Sequence, residues 1–449
     1  MKETVLYILK MSNVRVNFSK TIGKIKVMHA VNNGPCVSGK DQTRGNQDAY
    51  KACRIPYART HDASFYAGYG GNHTVDVNFI FTNFDADVND PQSYDFACTD
   101  LYMKQIIDYG AKPYFRLGSR IEHEIKKYNT FPPKDFKKWA EICEHIIAHY
   151  TEGWADGFYY DMKYWEIWGE PDLDAHEEFN KRLWQGTFEE FVDLFTITSK
   201  HLKRCFPNLK IGGPGSCGDE EWCENFLKEI KKNDTPLDFF SFHWYWTQPY
   251  DMTAKCTRVR KMLDRCGYEF IETHLNEWNY VRGWSDEFVY SIKQINGMKG
   301  AAFNLACMSA GQNSTDIDMM MYYDARPSEW NGLFDFYTLT PIKGYYAFYT
   351  FANLYEMGNQ VESECDDESV YVVAAVGNGK HGIAITYYSE NDNDGAKKIA
   401  LNIEGFDATK LKLCLVDEKS TYAPMSTYKI ENNTVTMWLE RNSIVYIEG

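Results

Sequence analysis

Strand-like and helix-like segments alternate along most of this chain, and that alternation limits its possible folds more than any other feature. Eight strand-like segments are separated by amphipathic stretches whose apolar residues recur about every 3.6 positions. The strand-like segments are KVMHAV (26–31), YARTH (57–61), KPYFRLG (112–118), WEIWGE (165–170), KIGGPG (210–215), DFFSFHWYW (238–246), EFIETHLNEW (269–278) and DMMMYYDA (318–325). Eight β/α repeats predict an α/β fold, the (β/α)8 TIM barrel of parallel strands.

The apolar pattern changes to a period of two after residue 352. Short alternating strands follow there: VYVVAAV (370–376), HGIAITYYS (381–389), KKIALNI (397–403), LKLCLVD (411–417), TVTMWLE (434–440) and SIVYIEG (443–449). This pattern predicts an accessory β-sandwich domain. Residues 4–18 also resemble strands but have no local partner, so we expect them to join that sandwich. The predicted division is residues 1–24 with the sandwich, 25–352 as the catalytic barrel and 353–449 as the sandwich.

The charge and hydropathy of the chain exclude several classes of partner. The formal net charge is −15 and no run of Lys or Arg forms a basic stripe, so we expect no nucleic acid partner. No apolar run approaches the ~18 residues of a membrane span. Because the apolar run 5–9 is short for a signal peptide, we expect a cytoplasmic protein, or a secreted or periplasmic one if a leader has been removed.

The twelve cysteines contain no CxxC pair, and several fall within helix-like or apolar segments. This spacing favours reduced, packed thiols over a disulfide framework. We therefore predict no metal site and no redox role for the cysteines, and we expect the protein to need no cofactor.

Two carboxylates occupy the ends of predicted barrel strands. Glu170 closes the fourth strand and Glu277 closes the seventh. Barrel enzymes carry their chemistry at this mouth, and two carboxylates are the minimum for glycoside hydrolysis. His243 and Tyr245, at the end of the sixth strand, are placed to donate hydrogen bonds that keep Glu277 ionised.

Other strand-end residues leave alternatives open. Trp165 and Trp168 offer an apolar wall that would raise the pKa of Glu170. Glu272 is the rival of Glu277, but it lies an odd number of residues away and is expected to face the helices in an ion pair. Arg59 and His61 bind sugar hydroxyls, or pair with Asp62 and Asp85 to brace a loop. Three strand-end tryptophans stack on a sugar or pack in the core: Trp278, Trp284 and Trp330.

Five motifs carry a resemblance to a known family. They are HAVNNGP (29–35), ARTHD (58–62), WEIWGEPD (165–172), FHWYW (242–246) and LNEWN (275–279). In this order they resemble clan A glycoside hydrolases, most closely glycoside hydrolase family 39, the β-xylosidases and α-L-iduronidases. The resemblance covers essentially the whole chain. It implies that Glu170 is the acid/base, that Glu277 is the nucleophile, and that His243 and Tyr245 belong to the −1 subsite.

Gly169 is a departure from the clan's pattern. Most members have asparagine before the acid/base, and its amide contacts the sugar 2-hydroxyl, a contact that strengthens in the transition state. Either another amide replaces it, from Asn32, Asn276 or Asn279, or the preferred sugar differs at position 2.

The sequence thus predicts a retaining exo-glycosidase that is β-xylosidase-like but has altered 2-hydroxyl recognition. Its partner is an oligosaccharide or glycoside. Two alternatives use the same residues: a catalytically silent carbohydrate-binding protein, in which the change at Gly169 followed loss of turnover, and a transglycosylase. The sugar, the anomer and the oligomeric state stay open.

Overall fold

The centre of the computed structural model, which describes residues 11–38, 44–61, 64–66, 70–328 and 332–449, is a closed barrel of eight parallel strands. Each barrel strand pairs with the next one along the chain, and the eighth pairs with the first. In chain order they are Val27–Asn32, Tyr57–Arg59, Lys112–Leu117, Tyr164–Ile167, Lys210–Ser216, Phe239–Trp246, Glu272–Tyr280 and Met319–Tyr322. The predicted barrel is confirmed.

Helices connect the barrel strands and cover the outside of the barrel. The longer ones are Ala97–Asp108, Phe136–Thr151, Phe188–Cys205, Glu220–Lys232, Pro249–Arg265, Phe288–Ile295, Met298–Asn313 and Lys343–Met357. Shorter helical segments are Gln47–Ala52, Val77–Ile80, Pro91–Ser93 and Trp154–Asp156. Two small hairpins pair Val37–Ser38 with Arg44–Gly45 and Ser64–Tyr66 with Gly70–His73. Among the described residues, no helix combines the length and apolar content needed to cross a membrane.

Local sequence signals explain where the helices begin. Asp135 accepts hydrogen bonds from the backbone at the start of Phe136–Thr151, and Thr187 and Glu190 form a capping box at the start of Phe188–Cys205. Each helix then buries one apolar face against the strands, as its 3.6-residue period requires.

The barrel interior changes from apolar to polar towards the carboxyl ends of the strands. Its lower part is filled by a cluster of buried side chains: Ala30, Tyr114, Tyr164, Phe239, Met319 and Met321. Arg59, Glu166 and Asn276 are also fully buried inside the barrel, nearer its mouth. Because an unpaired buried charge is costly, these groups must satisfy one another. The barrel mouth therefore rests on a polar floor.

The second unit is a ten-stranded sheet. From edge to edge its strands are Ala423–Pro424, Lys412–Val416, Ser443–Glu448, Lys380–Tyr387, Val370–Gly377, Asn359–Cys365, Ser12–Lys24, Lys397–Glu404, Thr434–Leu439 and Tyr428–Glu431, with a short helical turn at Ala408–Lys410. One core includes residues from strands far apart in this order, such as Leu413, Val372 and Val435, so the sheet curls over its own interior. This is the second, all-β unit of the predicted fold class.

The amino-terminal strand lies in the middle of this sheet. Ser12–Lys24 runs antiparallel to Asn359–Cys365 and parallel to Lys397–Glu404. Its alternating pattern buries Val14 and Val16 in the sheet's core. The pairing partners that this strand lacks locally are supplied by the other end of the chain.

The sheet packs on two barrel helices. Val373 and Ala384 of the sheet belong to the same apolar core as the barrel. Met298–Asn313, one of the two helices beneath the sheet, is buried on almost every side, which suits a helix covered on opposite faces. The contact brings the sheet's loops to the edge of the barrel mouth, where Tyr388 donates a hydrogen bond to the Thr247 carbonyl at 2.5 Å.

Candidate active site

A strained turn after the fourth barrel strand carries Glu170. Trp168 and Glu170 have φ values of 68° and 45°, in the left-handed region that non-glycine residues rarely adopt. The Glu170 backbone N–H donates to the Gly215 carbonyl at 2.9 Å, which ties the turn to the fifth strand. Strain of this kind is typical of functional sites.

Gly169, between these two residues, does not itself adopt a left-handed conformation. A Cβ atom on it would lie 3.4 Å from Arg116 Cδ, an ordinary van der Waals distance. The left-handed residues of the turn are therefore its neighbours and not the glycine. A Cβ atom fits at position 169, where it would lie 3.7 Å from both Arg116 Nη1 and Arg59 Nη2.

A β-bulge in the seventh barrel strand places Glu277. Leu275 lies opposite Phe242 and Glu277 lies opposite His243, so Asn276 is an extra residue in the strand. Consecutive residues can then face the same side. Both the Asn276 amide and the Glu277 carboxylate therefore belong to the polar groups at the barrel mouth.

The same bulge corrects the expectation for Glu272. Tyr164 and His274 donate to its carboxylate at 2.8 and 3.1 Å, and Lys210 pairs with it at 3.3 Å. The expected ion pair forms, but the orientation was wrong. Tyr164 belongs to the cluster inside the barrel, so Glu272 lies at the interior edge of the amino-terminal end, away from the mouth.

The carboxylates of Glu170 and Glu277 meet across the mouth. An oxygen of Glu170, an oxygen of Glu277 and a ring nitrogen of His243 all lie within 4.8 Å of one another. His243 Nδ1 is 2.7 Å from Glu170 Oε1 and 3.4 Å from Glu277 Oε2, so the ring bridges the pair. Glu277 is almost completely buried, whereas 17% of the Glu170 side chain is exposed. The two carboxylates thus lie in different environments.

Three side chains contact the Glu277 carboxylate in addition to His243. Arg59 Nη1 donates to Oε1 at 2.7 Å and His61 Nε2 lies 2.9 Å from the same atom. The Tyr245 hydroxyl donates to Oε2 at 2.8 Å. Burial and the charge of Glu277 raise the pKa of Tyr245 well above its ordinary value, so the hydroxyl stays a donor.

These contacts determine the ionisation of Glu277. Burial alone would raise the pKa of the carboxyl. The positive charges of His243, His61 and Arg59 outweigh burial and hold the pKa well below its ordinary value. Glu277 is therefore a carboxylate over the whole neutral range. The expected donor Tyr245 is in place, and His61 and Arg59 contact the carboxylate more closely than His243 does.

A buried network orients Arg59 from below. Glu166 accepts from Arg59 Nε, from the Ser241 hydroxyl and from Asn276 Nδ2, each at 2.6 Å. Asn32 Oδ1 accepts from Arg59 Nη1 at 2.9 Å. The guanidinium is thus fixed against Glu277 by Glu166 and Asn32, which lie on two other strands. Of the two readings proposed for Arg59, loop bracing through Asp85 is wrong, since Asp85 pairs with Lys134. Asp62 lies outside the described residues.

Sequence reasoning missed Glu166 and Asp172. Glu166 lies two residues before Trp168 in a strand rich in aromatic residues. A charged residue inside such an apolar strand is unusual, and this could have identified Glu166 from the sequence. Asp172 follows Glu170 by two residues and accepts hydrogen bonds from Ser216 Oγ at 2.6 Å and from the backbone of Gly218 at 3.1 Å. It joins the loops after the fourth and fifth strands and so positions Glu170.

The predicted tryptophan roles need correction. Trp165 stacks on Phe115 and Trp168 packs edge-on against Trp184, both in the core between barrel and helices, so neither forms a wall beside Glu170. Trp278 is also fully buried in that core, since the alternation of side chains resumes after Glu277 and turns the next residue outwards; of its two proposed roles, core packing is correct and sugar stacking is wrong.

Two more tryptophans were candidates for stacking. Trp284 is 60% exposed, and its ring lies 5.1 Å from that of Tyr245 in an edge-to-face arrangement. It is therefore an exposed aromatic surface beside the catalytic pair, where a sugar can stack. Trp330 lies outside the described residues.

Each of the three asparagines proposed to replace the missing amide already donates a hydrogen bond from its amide nitrogen. Asn32 Nδ2 donates to the Asn276 carbonyl at 2.8 Å, Asn276 Nδ2 to Glu166, and Asn279 Nδ2 to the Tyr323 carbonyl at 2.7 Å. All three side chains are buried. The amides of these residues are thus engaged inside the barrel.

Two groups of potential metal ligands occur in the described part of the chain: Glu170, His243 and Glu277 at the mouth, and Glu144, His201 and Cys205 on the outer helices. At each of these two groups a guanidinium contacts one of the ligand residues, and its positive charge disfavours the binding of a cation. Arg59 contacts Glu277, and Arg204 donates to His201 Nδ1 at 2.8 Å. We assign a metal to neither group.

An eight-stranded parallel barrel with two facing carboxylates at its carboxy-terminal mouth defines the class of barrel proteins that act on glycosidic bonds. Comparison with known proteins gives the family. The chain belongs to glycosyl hydrolases family 39, whose sequence model matches residues 12–309. The resemblance noted in the motifs is confirmed.

Individual relatives are distant. A β-xylosidase from Caldicellulosiruptor saccharolyticus is 26% identical over 298 residues, which are 60% of this chain and 56% of the relative. A β-xylosidase from Geobacillus stearothermophilus is 24% identical over 247 residues, 50% of this chain and 45% of the relative. The chain thus matches about half the length of these curated relatives.

Solved structures share the whole fold. A glucosidase from Croceicoccus marinus superposes with a TM-score of 0.78 at 21% identity and covers 98% of this chain and 99% of its own. A family 39 β-xylosidase from Caulobacter crescentus gives 0.70 at 17% identity, covering 97% and 99%. The match extends over barrel and sheet together, in agreement with the predicted fold class.

Proposed function

We propose that this protein is a retaining exo-glycosidase, β-xylosidase-like, in which Glu277 is the nucleophile and Glu170 the acid/base. The observation that carries the proposal is the approach of the two carboxylates, with an oxygen of each within 4.8 Å. Retaining glycosidases hold their carboxyl groups about 5 to 5.5 Å apart, whereas inverting ones need about 6.5 to 9.5 Å to admit a water. The spacing favours direct attack on the sugar.

The reaction follows from the two environments. In the first step Glu277 attacks the anomeric carbon while Glu170 gives its proton to the departing glycosidic oxygen, which leaves a covalent glycosyl-enzyme. In the second step Glu170 takes a proton from water, the water oxygen bonds to the anomeric carbon, and Glu277 leaves as a carboxylate. A catalytically silent binding protein would have no need for a nucleophile held ionised by Arg59, His61 and Tyr245.

The wall of the site at Gly169 supports altered recognition of the sugar 2-position. No amide donor is supplied there, and the three nearby asparagines are bound to other groups. Arg59 Nη2 lies 3.7 Å from the position of a Cβ atom on Gly169 and has no hydrogen-bond partner among the described residues. We propose that the preferred sugar makes little use of an amide at this wall, and that its 2-substituent is larger or differently oriented.

Gly169→Asn tests the proposed recognition. The added amide should strengthen contact with a 2-hydroxyl, and the ratio of kcat/KM on a glycoside to that on its 2-deoxy analogue should rise by about tenfold or more. Gly169→Ala is the matched control, because it adds the Cβ atom without the amide and should leave the ratio near that of wild type. An unchanged ratio in Gly169→Asn would contradict the proposal.

His61→Gln tests the ionisation of the nucleophile. Activity requires ionised Glu277, so it is present above the depressed pKa of Glu277 and lost as pH falls through it. Without the charge of His61 that pKa rises, and the acid limb of kcat/KM should move to higher pH by about one to two units. His123→Gln, which changes an exposed histidine, should leave the limb in place. A limb that stays fixed in His61→Gln would refute this role.

A further inference from the structure

A cavity of about 670 Å³, separate from the catalytic pair, opens where the sheet meets the barrel. Thr247, Gln248 and Tyr250 line it from the barrel side, and Tyr371, Tyr388 and Glu390 line it from the sheet side. Its volume lies within the range of about 300 to 1,000 Å³ that small-molecule sites occupy. None of the residues assigned above to the catalytic pair or to its contacts lines this cavity.

The cavity lies beside the proposed active site. Thr247 follows Tyr245 by two residues, and Tyr280, whose hydroxyl donates to Glu390 Oε1 at 2.8 Å, follows Glu277 by three. At about 3.3 Å per strand residue, the cavity wall is roughly 10 Å from the nucleophile along the seventh strand. The exposed ring of Trp284 packs against Tyr245, on the side of the catalytic pair.

The wall of the cavity is rigid. Lys299 Nζ donates to the Glu390 carbonyl at 2.9 Å and pairs with Asp392 at 2.9 Å, although its own side chain is almost fully buried. Tyr388 donates to the Thr247 carbonyl, which crosses from sheet to barrel. Both units therefore fix the cavity's shape before any ligand arrives.

The groups that line the cavity suit a carbohydrate. Tyr250 is 63% exposed, and the side chains of Gln248 and Glu368 make no hydrogen bond within the described parts of the chain. Aromatic rings can stack on the C–H face of a sugar, while a planar amide or carboxylate can bind neighbouring hydroxyls. Burial, together with Glu368 and Tyr250, raises the pKa of Tyr371, so its phenol stays a donor.

The charge of the cavity selects among saccharides. Glu368, Glu390 and Asp392 line it, and Arg282 is the one cation among the lining residues. Its guanidinium is shared with Glu287 at 3.0 Å. Lys299 pairs with Glu390 and Asp392, and Arg441 pairs with Asp392, so Glu368 is the lining acid without an ion pair in the described part of the chain. Its charge disfavours uronates and sulfated sugars and leaves neutral hydroxyl groups as the favoured ligand.

We infer that this cavity is a second carbohydrate site, which binds the non-reacting units of a neutral oligosaccharide. The inference rests on the proposed function for the class of ligand, but it does not depend on hydrolysis. Its functional consequence is that the sheet contributes directly to recognition of the substrate beyond the scissile bond.

The test measures binding to full-length protein that carries Glu277→Gln and therefore cannot turn over. Xylotetraose, cellotetraose and mannotetraose are titrated by calorimetry, with tetragalacturonate as the anionic comparison. In this background Tyr250→Ala and Gln248→Ala should each weaken binding of the neutral tetrasaccharide that binds best by at least tenfold. Tyr159→Ala is the matched control: it removes another exposed tyrosine ring, 79% exposed, which precedes the fourth barrel strand at the opposite end of the barrel, and it should leave binding unchanged.

Three outcomes would overturn the inference. They are unchanged affinity in both cavity variants, tighter binding of tetragalacturonate than of every neutral chain, and no binding of any neutral tetrasaccharide. Hydrolysis of aryl glycosides by wild-type protein is measured separately. Loss of the cavity effect with intact hydrolysis would therefore refute this inference alone, and absent hydrolysis with an intact cavity effect would refute the proposed function alone.

Discussion

Replacing Glu277 by glutamine should lower kcat/KM for an aryl glycoside by about 10⁴- to 10⁶-fold, the scale on which loss of a covalent nucleophile is felt. The amide cannot form the glycosyl-enzyme, and it is nearly the same size as the carboxylate, so the fold should persist. Arg59 and His61 would then face a neutral group in place of the carboxylate they contact at 2.7 and 2.9 Å.

Glu272→Gln is the matched control for this prediction. It alters a glutamate on the same strand, but one that lies at the amino-terminal end with Tyr164 and Lys210. Its kcat/KM should stay within about threefold of wild type, since no reacting group is near. In Glu277→Ala, azide should enter the space of the missing carboxylate and give a glycosyl azide of inverted configuration. Residual activity above a hundredth of wild type in Glu277→Gln would refute the assignment.

The barrel was predictable because its signals are local. The barrel strands are short segments rich in apolar residues and bounded by turn residues. Three of the long helices, Phe136–Thr151, Phe188–Cys205 and Glu220–Lys232, carry both a period of about 3.6 and a side-chain cap at their start. The rule that strand ends gather at one mouth then brought together residues as far apart in sequence as Glu170 and Glu277 without any structure. The pairing of Ser12–Lys24 with the sheet is also a consequence of pattern, since a buried alternating strand needs neighbours.

Side-chain direction was not predictable to the same degree. A single extra residue, Asn276, changes the side on which every residue before it lies relative to Glu277. The parity argument therefore misplaced Glu272. The conformation of the turn around Gly169 was likewise not predictable, because its left-handed residues are Trp168 and Glu170, which sequence rules do not expect in that region.

The long-range pairing of buried charges is the other feature that could not be predicted from the sequence. Glu166 and Arg59 are 107 positions apart (166 − 59 = 107) on different strands, and neither segment indicates which residue the other charge will pair with. A buried guanidinium between two glutamates persists only because each charge is compensated. Such a network is a property of the closed barrel, whose interior brings together side chains from strands that are not neighbours, and the sequence indicates only that charged residues lie in apolar strands.

Replacing Glu170 should affect the two steps of the reaction differently. In Glu170→Gln, kcat/KM for a substrate with a poor leaving group, such as an alkyl glycoside, should fall by about 10²- to 10⁴-fold, because the departing oxygen is no longer protonated. A 2,4-dinitrophenyl glycoside leaves without that help, and its kcat/KM should fall by less than about tenfold. The dependence on leaving group separates an acid from a binding residue, which would affect both substrates alike.

The second step gives an independent measure of the same residue. In Glu170→Ala, water lacks a general base and the glycosyl-enzyme should accumulate, whereas azide needs no base and should release it as a glycosyl azide of retained configuration. Glu177→Gln, an exposed carboxylate seven positions along the chain (177 − 170 = 7), should behave as wild type. Opposite azide stereochemistry in the Glu170 and Glu277 variants follows if the two carboxylates flank one sugar from opposite sides. An equal loss on both leaving groups, or inverted azide product from Glu170→Ala, would contradict the acid/base role.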